Sequence, residues 1–358
     1  MPKKLKVFHG LVNYGTQAGL LAKEFRDLGV EAKSYTKYDR FNRQTDYQFK
    51  KKETLLEKAF YYKVLYPLVR LMCFFKYNTF HFYFGQSLFK NQRDLPLYRL
   101  FNKKVIMEYL GNDIRHYKSL VERYDLPESH DYYQRMEVHD SKVRQRVHRE
   151  NKYIDYLISC LPTHVDFAKE YNVEVKEVVP LAVDVNSIIY MPFKKKNTRE
   201  TITILHAPTS RVFKGTIHIE KAIEKLKSEG YNVEFRLVEG VSHEELFREY
   251  RNCDIFIDQI SVGWYGTAAL EAMVVGRPTC AFIDERYYQY IDYAEEIPVV
   301  NINKETITDQ LRNLIDNSEK LPELGKRSRE FVEKYHDVKN VCLKLINIYK
   351  KKVWGEEL

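Results

Sequence analysis

The segment that decides the fold is DIFIDQISVGWYGTAALEAMVVGRP, Asp254–Pro278. DIFIDQ reads as a short buried strand. A glycine-bearing loop follows, then a helix over Gly266–Val275. Gly276 and Pro278 then lead into a second strand, PTCAFI (Pro278–Ile283). Strand, loop, helix and strand in that order form a parallel βαβ unit. Gly266 and Thr267 open the helix, so its amides and its positive end can take a phosphate. Glu271 lies about one turn further in, amid Ala268, Ala269, Leu270, Ala272 and Met273. A carboxylate in such a run is costly to bury without partners. It is either a solvated helix carboxylate or an acceptor for sugar hydroxyls.

The same alternation extends in both directions. Toward the N-terminus of this half, TITILHAP (Thr201–Pro208) and VEFRLVEG (Val233–Gly240) read as strands. Gly215–Ser228 reads as a helix between them. Ser242–Asn252 is a further helix, opened by a Ser-x-x-Glu capping box of Ser242 and Glu245. The earlier half begins with LKVFHG as a strand and Gln17–Leu28 as a helix. VEAKSY, TFHFYFG (Thr79–Gly85), KKVIMEYLG (Lys103–Gly111), Tyr153–Cys160 and Val175–Pro180 read as further strands. Lys52–Phe75 is a long helical stretch that Pro67 should break. The tail, Glu305–Lys351, is helical with expected breaks near Pro322 and Gly325. The fold class is therefore α/β, with two doubly wound Rossmann-like domains facing a cleft. We place the first domain at 1–182, a linker at 183–200 and the second domain at 201–335. A C-terminal helix, 336–358, is expected to pack back towards the first domain.

Composition fits this reading. The chain has 358 residues, 44% apolar and 30% charged. That excludes a disordered, a collagen-like or a disulfide-stapled chain. Five cysteines at wide, irregular spacing do not form a zinc motif and read as buried free thiols. MPKKLKVFHG runs straight into a strand without signal-peptide character, and no stretch reaches the ~18 apolar residues of a membrane span. A cytoplasmic location is expected, with peripheral attachment to the inner face of the cell membrane as an option. The net charge of +8 is uneven. Residues 1–180 carry 32 basic and 22 acidic side chains, while the remainder is net negative by two. Within Tyr47–Ile106 there are 12 basic and 3 acidic residues.

Ligands in doubly wound sheets bind at the carboxyl ends of strands, so three loops matter. HGLVNYGTQAG (His9–Gly19) holds three of only 14 glycines, before a helix. It lacks a strict GxGxxG, so it is either an anion-binding turn or a tight turn needing glycine. HAPTSRVFKGT (His206–Thr216) carries Arg211 and Lys214 just ahead of a helix. Two cations beside a helix N-terminus suit a diphosphate. The third loop is the one quoted first.

These residues resemble the GT-B glycosyltransferases, most closely glycosyltransferase family 4. HAPTSRVFKGT, LVEGVSHEE and DIFIDQISVGWYGTAALEAMVVGRP resemble that family's donor domain. GNDIRHY (Gly111–Tyr117) and LISCLPTHVDFAKEY resemble its first domain. The resemblance implies that Arg211 and Lys214 bind the donor diphosphate. It implies that Tyr265, Gly266 and Thr267 contact phosphates and the transferred sugar, and that Glu271 contacts the ribose. His206 and Glu239 would line the nucleotide pocket. Gly263 stands where the family often has a second glutamate, with Asp258 and Gln259 close by as substitutes. Retaining transfer from a UDP- or GDP-sugar is implied, with no tightly bound metal or other cofactor. Gly10, Asn13, Gly15 and Thr16 would lie on the acceptor side. Asp113 and Arg115 are acceptor-side or structural, and His139 is a cleft group or a lone surface histidine.

LLEKAFYYKVLYPLVRLMCFFK (Leu55–Lys76) mixes large apolar residues with Lys58, Lys63, Arg70 and Lys76. It is either a core helix with a basic face or an interfacial helix on anionic lipid. The expected partners are thus a nucleotide sugar, a glycan or lipid-linked acceptor, and an anionic membrane surface. Two other functions share the fold: a non-catalytic partner subunit, motivated by Gly263, and a nucleotide-sugar epimerase. No nucleic-acid-binding pattern accompanies the basic charge.

Overall fold

The computed structural model describes residues 4–37, 43–49, 54–126, 131–192 and 200–356. The chain divides into two compact units, 1–182 with 338–358, and 183–337. Each contains one wholly parallel sheet.

The first unit holds β1 (Lys6–Leu11), β2 (Glu31–Thr36), β3 (Tyr47–Gln48), β4 (Thr79–Tyr83), β5 (Lys104–Tyr109), β6 (Tyr156–Ser159) and β7 (Glu177–Val178). Their spatial order is β3-β2-β1-β4-β5-β6-β7. Every residue of β4 is buried, as a parallel strand covered on both faces requires. One face packs on a cluster including Phe8, Phe74, Phe80, Phe82 and Tyr98. The other packs on Val7, Leu21, Phe25 and Ile106, closed by Val338, Val341, Leu345 and Tyr349 from the C-terminal helix.

The second unit holds β8 (Ile202–His206), β9 (Val233–Leu237), β10 (Ile255–Ile257), β11 (Thr279–Ala281) and β12 (Val300–Asn301). Their order is β12-β11-β10-β8-β9. In each sheet the winding direction reverses beside the first strand, between β1 and β4 and between β8 and β10. Those two points are where ligands settle in such sheets.

Three local expectations differ from the structure. Pro67 does not break the helix. The chain runs Leu55–Phe60, a wide turn at Tyr61–Leu65, then Tyr66–Lys76 with the proline in its first turn. Proline has no amide to give back to Lys63, and the wider turn absorbs that loss. In the tail, an interruption falls at Ser318–Lys320, next to Pro322 as expected, but none falls at Gly325. Pro322 opens the helix Leu321–Tyr335 and Gly325 lies inside it, against the carbonyl of Gly276 with no room for a side chain. The stretch read as a linker is folded over its first part. The Val183 amide donates to the His336 carbonyl at 2.8 Å, and Arg329 reaches the carbonyls of Val185 and Ile188. Its residues 193–199, and residues 52–53 of the long helical stretch, lie outside the described residues.

A buried polar group ties the C-terminal helix to the first sheet. The His81 ring meets Glu108 Oε2 at 3.0 Å through Nε2 and the Tyr349 hydroxyl at 2.5 Å through Nδ1. Burial pushes the Glu108 carboxyl up to about 8 and His81 down to about 3. The folded pair therefore holds one proton from about pH 3 to about pH 8. Unfolded, the same two groups lose their last proton near pH ~6.5. Between about pH 6.5 and 8 the folded state thus binds the extra proton, and stability falls as pH rises. The loss is about 2 kcal/mol across that window. Urea titrations at the two ends of the window should show it, and Glu108→Gln should remove the slope.

Candidate donor site

The site is built on the loops after β8 and β10. Ser210 caps the short helix Arg211–Lys214 through the Phe213 amide. Gly215, at φ 76°, turns the chain into the next helix, Thr216–Ser228, and packs against Ile260. This turn delivers Lys214 to the end of the neighbouring strand. Its Nζ lies 2.5 Å from Asp258 Oδ1, just past β10. Asp258 Oδ2 accepts the Gly266 amide at 2.7 Å. One carboxylate thus holds both the lysine and the start of the helix Thr267–Val275. No side chain caps that helix. A side chain on Gly266 would begin 3.8 Å from Lys214 Nζ, so the cation stands beside the helix start, an arrangement that suits a phosphate.

Glu271 projects from the same helix with its side chain 15% exposed. His243 Nε2 lies 2.9 Å from its Oε1, and the buried Tyr250 hydroxyl donates to Oε2 at 3.4 Å. The sequence reading missed both partners. His243 sits inside the capped segment VSHEE, directly after the N-cap, which was the available signal.

Arg211 is exposed and points to the other side of its short helix. It forms a fork on Glu239, with Nε 3.0 Å and Nη2 2.5 Å from Oε2, and reaches Glu220 at 3.5 Å. The hydrogen-bonded carboxylate holds the guanidinium up and is itself held below the usual carboxylate range. Exposed ion pairs of this kind hold only weakly in water, so Arg211 can exchange Glu239 for another partner.

Two candidates turn inward. His206 is wholly buried, with Nδ1 2.9 Å from the Ile257 carbonyl and Nε2 2.9 Å from the Thr216 hydroxyl. Burial brings it down to about 4, so it is a neutral brace between β8, β10 and the following helix. Both ring nitrogens are engaged within the unit, which leaves neither to bond a ligand in this arrangement. Tyr265 is 2% exposed, with its ring stacked on Trp264 and its hydroxyl 3.1 Å from His336 Nε2. Its side chain is thus packed within the unit. The Gln259 amide donates to the Trp264 carbonyl and shapes the loop. The carbonyl of Gly263 accepts the Asp284 amide at 3.2 Å.

In the first unit, the candidate residues cluster at the ends of β1 and β5. Gly10 lies in β1 where a side chain would collide with the Tyr35 carbonyl. Asn13 is buried and bonds the Gln44 carbonyl and the Gly19 amide, so it braces the loop. Gly15 and Thr16 both have positive φ, 51° and 65°. Asp113 accepts the Leu110 and Gly111 amides, the latter at 2.7 Å, and burial lifts it to about 6. Arg115 donates to Asn112 at 2.8 Å. The intervening Tyr14 packs on Phe84 from the loop after β4. His139 is partly exposed on the helix Asp131–Tyr153, and burial lowers it. Beyond these, His164 just past the end of β6 is wholly buried and brought down to about 3 by burial and then by Arg115. All five cysteines are buried and none forms a disulfide. Among the described residues, no three His, Cys, Asp or Glu side chains converge to hold a metal ion.

The whole chain superposes on several solved structures. Sucrose-phosphate synthase from Thermosynechococcus elongatus matches with a TM-score of 0.67 and 14% identity, over 98% of this chain and 99% of that one. HepE from Anabaena, in complex with UDP-glucose, matches at 0.59 and 11%, over 95% and 98%. WaaG, a glycosyltransferase involved in lipopolysaccharide biosynthesis, matches at 0.55 and 13%, over 96% and 98%. The chain has the GT-B fold. No protein-family model matches it, and no curated protein matches it in sequence. Within the second unit, Lys214, Asp258 and the helix start at Thr267 occupy the switch point of the sheet.

Removal of the Asp258 carboxylate leaves Lys214, only 13% exposed, without its partner. Asp258→Ala should cost about 3–5 kcal/mol in chemical denaturation. Lys214→Ala in the same chain should recover part of that loss, because the stranded charge is then gone.

Proposed function

We propose that the chain is a retaining glycosyltransferase. It moves a sugar from a UDP- or GDP-sugar to a cell-surface glycan or a lipid-linked acceptor. The observation that carries this reading is Lys214 beside the open N-terminus of the Thr267–Val275 helix, with Glu271 one turn further in. Lys214 and the helix start would take the donor diphosphate. Arg211 would swing from Glu239 to join them, and Glu271 would accept from the ribose hydroxyls. As the sugar leaves, negative charge grows on the diphosphate, and these fixed positive groups stabilise it. HepE has been crystallised with UDP-glucose and with UDP and glucose, which supports a nucleotide-sugar ligand on this fold. Gly263 offers no carboxylate at the position where the resemblance expects one, which favours a non-catalytic partner subunit as the second reading. Release of nucleotide from a donor by the purified chain separates the two.

Calorimetry should show binding of UDP or GDP, weakened about 1.5–3 kcal/mol by Lys214→Ala, the worth of a charged hydrogen bond. Absence of binding to every nucleoside diphosphate would sink the reading.

We further propose that the 55–76 segment rests on an anionic membrane. Phe60, Tyr62, Leu68, Leu71, Met72 and Phe75 are exposed, and the patch continues through Phe101. Such a patch is large for a free surface. Lys63 and Lys76 lie exposed among these residues, matching lipid phosphates. Among the described residues, no helix is long and apolar enough to cross a membrane. Flotation with anionic vesicles should succeed and fall with salt. Equal recovery with neutral vesicles at high salt contradicts the electrostatic part.

A further inference from the structure

Beside that apolar face, the first unit contains a cavity of about 930 Å³. Six cations line it: Lys37, Arg70, Lys90, Lys142, Arg146 and Arg149. No Asp or Glu is among its described lining residues. The cations come from four separate stretches of chain: the end of β2, the 66–76 helix, the loop after β4 and the 131–153 helix. Chain-local composition therefore does not explain their convergence.

Their pairing is also unusual. Among the described residues, no carboxylate forms an ion pair with Lys37, Arg70, Lys90, Lys142 or Arg149. Lys37 bonds the neutral Gln86 amide, Arg149 the Asn91 carbonyl at 2.5 Å, and Arg70 stacks on the Tyr66 ring at 3.6 Å. The buried Nε of Arg70 has no hydrogen-bond acceptor. Burial and the nearby Arg70 charge both lower Lys37. Cations repelling one another in a concave site are costly unless an anion offsets them.

The walls are rigid. Buried Glu150 accepts from Tyr109 at 2.8 Å and from Gln92, and holds Arg146 at 3.1 Å. Buried Asp94 fixes the other end of the loop through Ser87 at 2.5 Å and Tyr98 at 2.8 Å. Between these anchors the backbone takes left-handed conformations at Phe84, Gly85, Asn91 and Gln92. Such conformations persist where surrounding bonds over-determine them.

We propose that this cavity is the acceptor site and that it binds an acceptor through a phosphate-bearing group, a diphosphate in size and charge. The proposal rests on the glycosyltransferase reading of the chain. The cavity lies on loops at the carboxyl ends of β2 and β4, beside the switch point of its sheet. Tyr62 belongs both to the cavity wall and to the exposed apolar face. A phosphate held here can thus be borne by a lipid or by a soluble glycan.

The test uses the full chain, with inorganic pyrophosphate titrated after saturation with UDP. The unaltered chain should bind it. The surface variant Lys142→Gln/Arg149→Gln should bind about tenfold or more weakly, by loss of charged hydrogen bonds. UDP affinity should stay unchanged, and Lys142→Arg/Arg149→Lys should restore pyrophosphate binding. Neutral vesicles doped with a polyprenyl diphosphate then separate the sources. Flotation that needs the doped lipid and is lost in the variant assigns the phosphate to a lipid. Flotation indifferent to it, with pyrophosphate binding intact, assigns it to a soluble acceptor. No pyrophosphate binding, or binding equal in the variant, overturns the proposal. Failure of UDP to bind is a separate result and counts against the donor site alone.

Discussion

The second unit depends on one carboxylate. Asp258 stands at the end of β10 and divides its two oxygens between the Lys214 ammonium and the Gly266 amide. The acid satisfies a helix terminus and neutralises a lysine that folding has nearly buried. Either task alone would leave a charge or a donor uncompensated, and buried uncompensated groups are costly. Together they place a cation and a row of free amides around one point. The arrangement is stable without ligand, yet it is built from groups that prefer an anion. A diphosphate can share the lysine and use the amides that no side chain caps.

The first unit uses buried acids in a different way. Glu150 and Asp94 have no charge to offer a ligand, because each is enclosed by its own donors. Their role is to hold a basic loop and a basic helix face in register. Glu108 and His81 do the corresponding work deeper in the sheet, joining β4 and β5 to the C-terminal helix through Tyr349. The net positive charge of this half is thus partly sorted. Four of its acids, Asp94, Glu108, Asp113 and Glu150, lie inside as braces, and many of its cations lie around a cavity and along an exposed apolar helix.

The alternation of strands and helices was legible because parallel strands are short apolar runs and the helices show a 3.6-residue period. The capping box at Ser242 was legible for the same local reason. What was not legible depends on contacts between distant segments. His206 ends a strand, as pocket residues do, but Thr216 and Ile257 claim its ring. Tyr265 adjoins the start of the Thr267–Val275 helix, but its hydroxyl turns to His336, 71 residues away. Glu271 stood out as a carboxylate in an apolar helix, yet its pairing with His243 and Tyr250, 28 and 21 residues away, is a contact between segments that local pattern does not show. Pro67 read as a break because sequence rules do not register a wide turn that absorbs a lost hydrogen bond. The basic cavity was visible only as excess charge over Tyr47–Ile106, because most of its cations arrive from elsewhere.

At the centre of this reading, an anion docks at Lys214 and the uncapped start of the Thr267–Val275 helix. Amide hydrogen exchange with and without saturating UDP addresses it directly. Exchange at Thr267, Ala268 and Ala269 should slow when UDP is bound. Bound UDP with unchanged exchange at those three amides would contradict it.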